Sequence, residues 1–251
     1  MLTRGRSAAT TAEMAALLGV APNLVRVRLR PYVQRGAWVS PARGLWIPVP
    51  LEYRLWGAPE GIEIVDALMR HLDAPYYVGW LSAATIHGAA HHAPQVFQVA
   101  VGRHVRDRIV GRTKFRFAIR ANVTAVPTER RTTRSGSAAV STREVTMLDI
   151  ATNITRAGGL DNAATVLVEL AEEGFDSAAL AELSALFPAA AGRRIGWILE
   201  NVGERDGLEP LHAVVTARPA AASQLSPTGP TTGNTDHRWA LRLNAEVEAD
   251  I

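Results

Sequence analysis

The sequence predicts an α+β protein in which two short helices and a β hairpin precede a larger domain of mixed α+β structure. Three observations support this fold class. Helix-start and helix-stop signals cluster in residues 10–22, strand-like alternation is concentrated between residues 96 and 140, and amphipathic helical segments dominate residues 142–202. Strands grouped before helices are typical of α+β domains.

The bulk composition is that of a globular protein. The chain has 251 residues, of which 47% are hydrophobic and 20% charged, so it is long enough for two domains with buried cores. It has no cysteine, which excludes disulfides and thiolate chemistry. Without a long apolar run or a signal-like N-terminus, we expect a cytoplasmic protein with no membrane contact.

Charge is strongly segregated along the chain. Residues 1–50 hold seven arginines and one acidic residue, and residues 103–144 hold eleven basic residues and three acidic ones. Residues 145–251 are acidic, with fifteen carboxylates against seven arginines. Two basic blocks indicate a surface for a polyanion, although a charged segment can also be simply a solvated face.

The first helix is predicted to begin near residue 11. Thr10 and Glu13 have the spacing of a capping box, in which each side chain accepts a hydrogen bond from the other residue's backbone. Gly19 is expected to end the helix, because glycine adopts the left-handed conformation without a Cβ penalty. The apolar residues that follow the cap at helical spacing are Met14, Leu17 and Leu18.

The segment LVRVRLR, residues 24–30, alternates like a β-strand but is predicted to be a helix. Pro22 suits the first position of a second helix. Arg28 stands where a buried residue is usual, a role that Leu29 can take, and Pro31 is expected to stop or kink the helix after Arg30. Small and apolar residues occupy the positions where two crossing helices touch: Met14, Ala15, Leu18, Gly19, Val20 and Val25.

A β hairpin is predicted directly after the second helix, with strands at 37–40 and 45–48 joined by the turn 41–44. Two helices joined by a turn and followed by a hairpin form a winged helix-turn-helix. We therefore predict a DNA-binding domain at residues 1–50 and a mixed α+β domain at residues 58–251.

The polar residues of the winged unit are those that DNA recognition uses. Asn23, Arg26 and Arg30 lie on one side of the second helix and suit base edges. Arg28 and Arg35 are predicted to bind phosphates, and Arg43 at the wing tip to reach a phosphate or the minor groove. The alternative is a winged helix that docks a protein and binds DNA only non-specifically.

The second domain is predicted to begin with helices at 59–72 and 78–90 and strands at 96–102, 114–119, 123–126 and 138–140, with residues 128–136 as a polar connection. Helices are then expected at 142–151, 160–173, 177–187 behind the cap Asp176, and 193–202, before a loop at 219–235 and a strand at 239–244.

No catalytic motif is present in the second domain, so the chain is not expected to be an enzyme or to need a cofactor. His87, His91 and His92 could in principle offer metal ligands. Gly88 and Pro94 argue against one helix that spans these histidines, and no carboxylate is near in sequence. We therefore predict polar contacts at a helix end and no metal site.

The order of several segments resembles the AbiEi-type antitoxins, a family of bacterial abortive-infection, type IV toxin–antitoxin systems. The segments are the winged unit at 10–49, YYVGWLSAATIHG at 76–88 followed by VFQVAVGR, VSTREVTMLDIA at 140–151, RRIGWILENVG near 193, and a late HRWALRLN. The chain departs from the family pattern at one point, because little sequence precedes Thr10 to supply the first helix of a winged unit.

The resemblance implies a repressor of its own operon joined to an antitoxin domain. The expected partners are double-stranded promoter DNA and a cognate toxin of the nucleotidyltransferase type. The sequence leaves open the operator, the oligomeric state and whether the toxin is bound directly.

Overall fold

The computed structural model describes residues 7–89, 96–218 and 221–250. The α+β fold class is confirmed. The chain forms two compact units, one of Met1–Val78 and Gln95–Val140 and one of Gly79–Pro94 and Ser141–Ile251. The division into a 1–50 domain and a 58–251 domain stays a prediction.

The N-terminal cap is formed as predicted. Helix α1, Thr11–Leu18, follows Thr10, whose backbone N–H donates to Glu13 Oε2 at 2.8 Å, while Glu13 N–H donates to Thr10 Oγ1 at 3.3 Å. Gly19 ends the helix in the left-handed conformation with φ of 63°. The expectation that Leu18 packs inside is wrong, because its side chain is 42% exposed.

The alternating segment LVRVRLR is helical. A 3-10 turn, Pro22–Leu24, leads into helix α2, Val25–Gln34. Val25 and Leu29 are buried one helical turn apart and the arginines between them are exposed, so tertiary packing has outweighed the strand-like alternation. Pro31 does not stop the helix after Arg30, since it lies on the exposed side, where solvent can replace the missing donor.

The predicted hairpin is present and is part of a three-stranded sheet. Strands β1, Ala9–Thr10, β2, Trp38–Ala42, and β3, Leu45–Pro48, are antiparallel in the order β1-β3-β2. We call the β2–β3 hairpin the wing. Helices and sheet share a small core of Ala9, Met14, Ala15, Val25, Leu29 and Trp46, against which Val20 and Trp38 pack.

The first unit also contains helix α3, Gly61–His71, and six strands: β4, Tyr76–Val78, β5, Val96–Val101, β6, Arg108–Val110, β7, Thr113–Ile119, β8, Thr128–Thr133, and β9, Gly136–Ser141. These strands form one mixed sheet in the order β6-β7-β5-β4-β9-β8.

Two sequence predictions for this sheet are wrong. Residues 123–126 form turns rather than a strand, and their valines are buried without strand pairing. The polar residues 128–133 form strand β8 rather than a loop. β8 lies at the edge of the sheet and needs no continuous apolar face, so apolar alternation does not mark it.

The second unit is mostly helical: α4, Trp80–Ile86, α5, Arg143–Thr152, α6, Leu160–Glu172, α7, Ser177–Ser184, α8, Ala189–Asn201, and α9, Glu209–Thr216. A small sheet completes it, with β10, Ser223–Gln224, β11, Asn234–Asp236, and β12, Leu241–Leu243, in the order β10-β12-β11. The predicted helices are confirmed with shifted ends, Asp176 caps α7 as expected, and α9 was not predicted.

Two arginines of α8 are buried and bind backbone carbonyls. Arg194 is 6% exposed and donates from Nη1 to Ala151 O at 2.9 Å and from Nε to the carbonyls of Gln224 and Leu225, both at 3.0 Å. Arg193, 1% exposed, donates from Nη1 to Ala221 O at 3.0 Å. These bonds attach the segment around β10 to the helical unit.

Gly196 of α8 lies directly against the buried ring of Trp239, so a side chain at this position would collide with the ring. We expect Gly196→Ala to lower the free energy of unfolding by about 2 kcal/mol, although alanine is the better helix former, because overpacking outweighs propensity. Urea unfolding measures the change. In a Trp239→Leu background the same alanine should not lower the free energy of unfolding. A stabilising Gly196→Ala in the parent protein would contradict the packing argument.

Candidate nucleic-acid interface

Helix α2 divides its arginines between two sides. Arg26 and Arg30 are four residues apart and lie on nearly the same side, whereas Arg28 is about 200° around the helix from Arg26. All three side chains are exposed, and Leu29 takes the buried position beside Arg28. The second helix therefore presents a pair of arginines on one face and a single arginine on another.

A groove between α2 and the wing brings Arg26 and Arg30 together with Arg43. The wing side of the groove includes Pro41 and the turn at Gly44. The other residues that line it are Val27, Val33, Gln34, Ser40, Ala42 and Trp46. The groove thus combines three cations with an apolar wall, and its assignment to base contacts stays a prediction.

The remaining predicted site residues do not line this groove. Asn23 lies in the 3-10 turn before α2, and Arg35 follows the last residue of α2. Both are exposed, as Arg28 is. Asn23 and Arg35 thus lie at the two ends of α2, and Arg28 lies on another side of it. These positions are compatible with contacts to the backbone of a nucleic acid that passes across the helix.

The five arginines of residues 24–43 have no compensating carboxylate among the described residues. Within residues 7–89, 96–218 and 221–250, no hydrogen bond or ion pair involves the guanidinium groups of Arg26, Arg28, Arg30, Arg35 or Arg43. Arginines elsewhere do find carboxylates, such as Arg116 with Asp107 and Arg238 with Glu200, both at 2.6 Å. Free guanidinium groups in one unit favour an anionic partner.

Two residues that were not predicted from the sequence as site residues contact backbone carbonyls of the wing. His71 Nε2 lies 2.9 Å from Arg43 O, and Arg108 Nη1 donates to Pro41 O at 3.1 Å. Both contacts join residues far apart in sequence, so no local pattern marks them. They hold the turn that places Arg43 over the groove.

His87 makes the polar contact predicted for a helix end. Helix α4 stops at Ile86, and the buried His87 places Nε2 2.7 Å from Ser141 O. His91 and His92 lie outside the described residues. In the part of the chain that the structure describes, no three His, Asp or Glu side chains are grouped to hold a metal ion, and no helix there is long and apolar enough to span a membrane.

Comparison with known proteins gives a family match and a related solved structure. The RV2827C protein from Mycobacterium tuberculosis, known from a crystal structure, is similar with a TM-score of 0.66 at 15% identity, over 96% of this chain and 87% of that one. This likeness concerns the fold alone. No curated protein matches the sequence. Residues 77–201 match the model of the AbiEi antitoxin C-terminal domain. Through this region, the chain belongs to the AbiEi-type antitoxin family.

Proposed function

We propose that the protein is a DNA-binding transcriptional autorepressor and the antitoxin of a bacterial toxin–antitoxin operon, where it counteracts a nucleotidyltransferase-type toxin. The antitoxin role rests on the family match over residues 77–201. The repressor role is carried by one observation, the groove in which Arg26, Arg30 and Arg43 meet without acidic partners among the described residues.

The geometry of this groove suits a DNA duplex. An exposed helix can enter the major groove, where arginine binds guanine in a bidentate manner, while a wing contacts the neighbouring phosphates or minor groove. Arg26 and Arg30 would read bases, and Arg43 would bind the flanking backbone. Asn23 at the start of α2 is suited to adenine, and Arg28 and Arg35 to phosphates.

Binding of the full-length protein to its own promoter tests the repressor role. Gel shifts at several salt concentrations would compare a promoter fragment that contains an inverted or direct repeat with a scrambled fragment of equal length. We expect binding to the promoter at least about 1,000-fold tighter than to the scrambled DNA. A protein-docking winged helix would instead bind both fragments weakly, and its binding to both would disappear between low and moderate salt.

The identity of the toxin is open to a simple observation. A nucleotidyltransferase-like reading frame directly beside the gene, whose toxicity this protein suppresses on co-expression, would support the proposed partner. An unrelated neighbour would count against it.

A further inference from the structure

The second basic block of the sequence is not used by the groove between α2 and the wing. Part of this block, residues 103–120, contains strands β6 and β7, which pair as an antiparallel hairpin at the edge of the six-stranded sheet. This hairpin belongs to the same compact unit as the wing. Its charge therefore lies on the body that carries the candidate DNA site.

One point of the hairpin is attached directly to the wing. Strand β6 packs against β2, and Arg108 donates from Nη1 to Pro41 O at 3.1 Å. The Arg108 guanidinium lies 5.5 Å from the centre of the Phe117 ring, and burial lowers its pKa. Because Pro41 also lines the groove, Arg108 is a fixed connection between the hairpin and the groove wall.

The turn of the hairpin is attached to the segment that follows the wing. Arg112 donates its backbone N–H to Trp56 O at 3.0 Å, and its guanidinium lies 5.6 Å from the centre of the Trp56 ring. Gly111 approaches the Trp56 backbone so closely that any side chain there would collide with it. The hairpin is thus held at both ends of β6.

Exposed arginines lie just before and just after strand β6. Arg106 and Arg112 are exposed, and within the described residues neither forms an ion pair with a carboxylate. The nearby Asp107 already accepts hydrogen bonds from Arg116 Nη1 at 2.6 Å and from the backbone N–H of Phe117 at 2.9 Å. We call Arg106, Arg108 and Arg112 the β6 border.

We propose that the β6 border binds backbone phosphates of duplex DNA beside the site held by α2 and the wing, with Arg106 and Arg112 as the contacting side chains and Arg108 as the residue that positions them. The proposal rests on the proposed function. Strand β6, Arg108–Val110, lies between the two contacting side chains, and three residues of extended chain span roughly 10 Å, which matches about three base-pair steps of 3.4 Å. The border would therefore lengthen the DNA footprint by about three base pairs.

The test measures the salt dependence of binding for the full-length Arg106→Gln, Arg112→Gln double variant. Two duplexes are compared: the promoter repeat alone, and the repeat extended by about ten base pairs on each side. On the extended duplex we expect about tenfold weaker binding and a slope of log K against log salt reduced by about two. On the short duplex the variant should bind as the parent protein does.

Lys114→Gln is the matched control. Lys114 is exposed on β7, on the opposite face of the sheet from Arg108, because Arg108 pairs with Phe115, its neighbour in the strand. Each single change, Arg106→Gln or Arg112→Gln, should reduce the slope by about one, and Lys114→Gln should leave it unchanged. If the double variant keeps the slope of the parent protein, or if Lys114→Gln reduces the slope equally, the proposal that the β6 border binds phosphates is overturned. The proposed function is not affected by either result. Failure of the parent protein to prefer its promoter overturns both proposals.

Discussion

Replacing Arg26 and Arg30 by alanine should lower the affinity of the protein for its own promoter by about 100-fold or more. Both side chains face the groove between α2 and the wing and are unpaired within the described residues, so each is available for a bidentate contact with guanine. One such contact discriminates between bases by about 1–3 kcal/mol, and two contacts at the middle of that range contribute about 4 kcal/mol, more than the roughly 2.7 kcal/mol that corresponds to 100-fold at 25 °C. Fluorescence anisotropy on promoter and scrambled duplexes measures the effect.

A second pair on the same segment provides the matched control. The Arg28→Ala, Arg35→Ala variant loses the same charge from exposed positions that do not line the groove. It should bind promoter and scrambled DNA more weakly by equal factors, because phosphate contacts carry no sequence information. The Arg26→Ala, Arg30→Ala variant should instead reduce the ratio of promoter affinity to scrambled-DNA affinity. An unchanged ratio for Arg26→Ala, Arg30→Ala would contradict base contacts by α2.

The largest effect on stability is expected for Arg194→Ala. Burial lowers the pKa of Arg194 to about 10, still well above neutral pH, so the side chain is a buried cation that binds three carbonyls. Removal leaves the carbonyls of Ala151, Gln224 and Leu225 without this donor, and we expect the free energy of unfolding to fall by about 3–5 kcal/mol. Urea denaturation followed by circular dichroism measures the change.

Arg205 offers the comparison for this prediction. It lies 3.7 Å from Glu172, and both side chains are about half exposed. Arg205→Ala should therefore cost less than about 1 kcal/mol. A third variant, Arg194→Met, keeps the apolar stem and removes the donors, so its free energy of unfolding should lie near that of Arg194→Ala. If Arg194→Met lowers the free energy of unfolding only slightly, the effect of Arg194→Ala comes from packing of the stem and not from the hydrogen bonds.

Local signals predicted the N-terminal unit well. The capping pair Thr10 and Glu13, the left-handed Gly19 and the proline at the start of the second helical segment act within a few residues, so the sequence alone places the helix ends. The choice between strand and helix at LVRVRLR also depended on neighbouring residues. By contrast, the exposure of Leu18 depends on which elements pack around α1, and helical spacing does not contain that information.

The candidate site could be predicted only in part for the same reason. The spacing of Arg26 and Arg30 puts them on one side of a helix, but their meeting with Arg43 depends on how the wing folds back on α2. The link from Arg108 to Pro41 joins residues 67 positions apart, and β1 pairs with β3 across 35 positions or more. Contacts of this range follow from tertiary packing and have no local pattern.

The attachment of the C-terminal residues to α8 bears on the order in which the chain can fold during synthesis. Arg194 binds the carbonyls of Gln224 and Leu225, and Gly196 receives the ring of Trp239. These partners leave the ribosome more than 20 residues after the end of α8, so until then Arg194 lacks two of its carbonyl partners and the surface at Gly196 lacks the Trp239 ring. The second unit therefore closes only when residues 221–243 have emerged. The folding unit extends beyond residue 201, where the match to the antitoxin family ends.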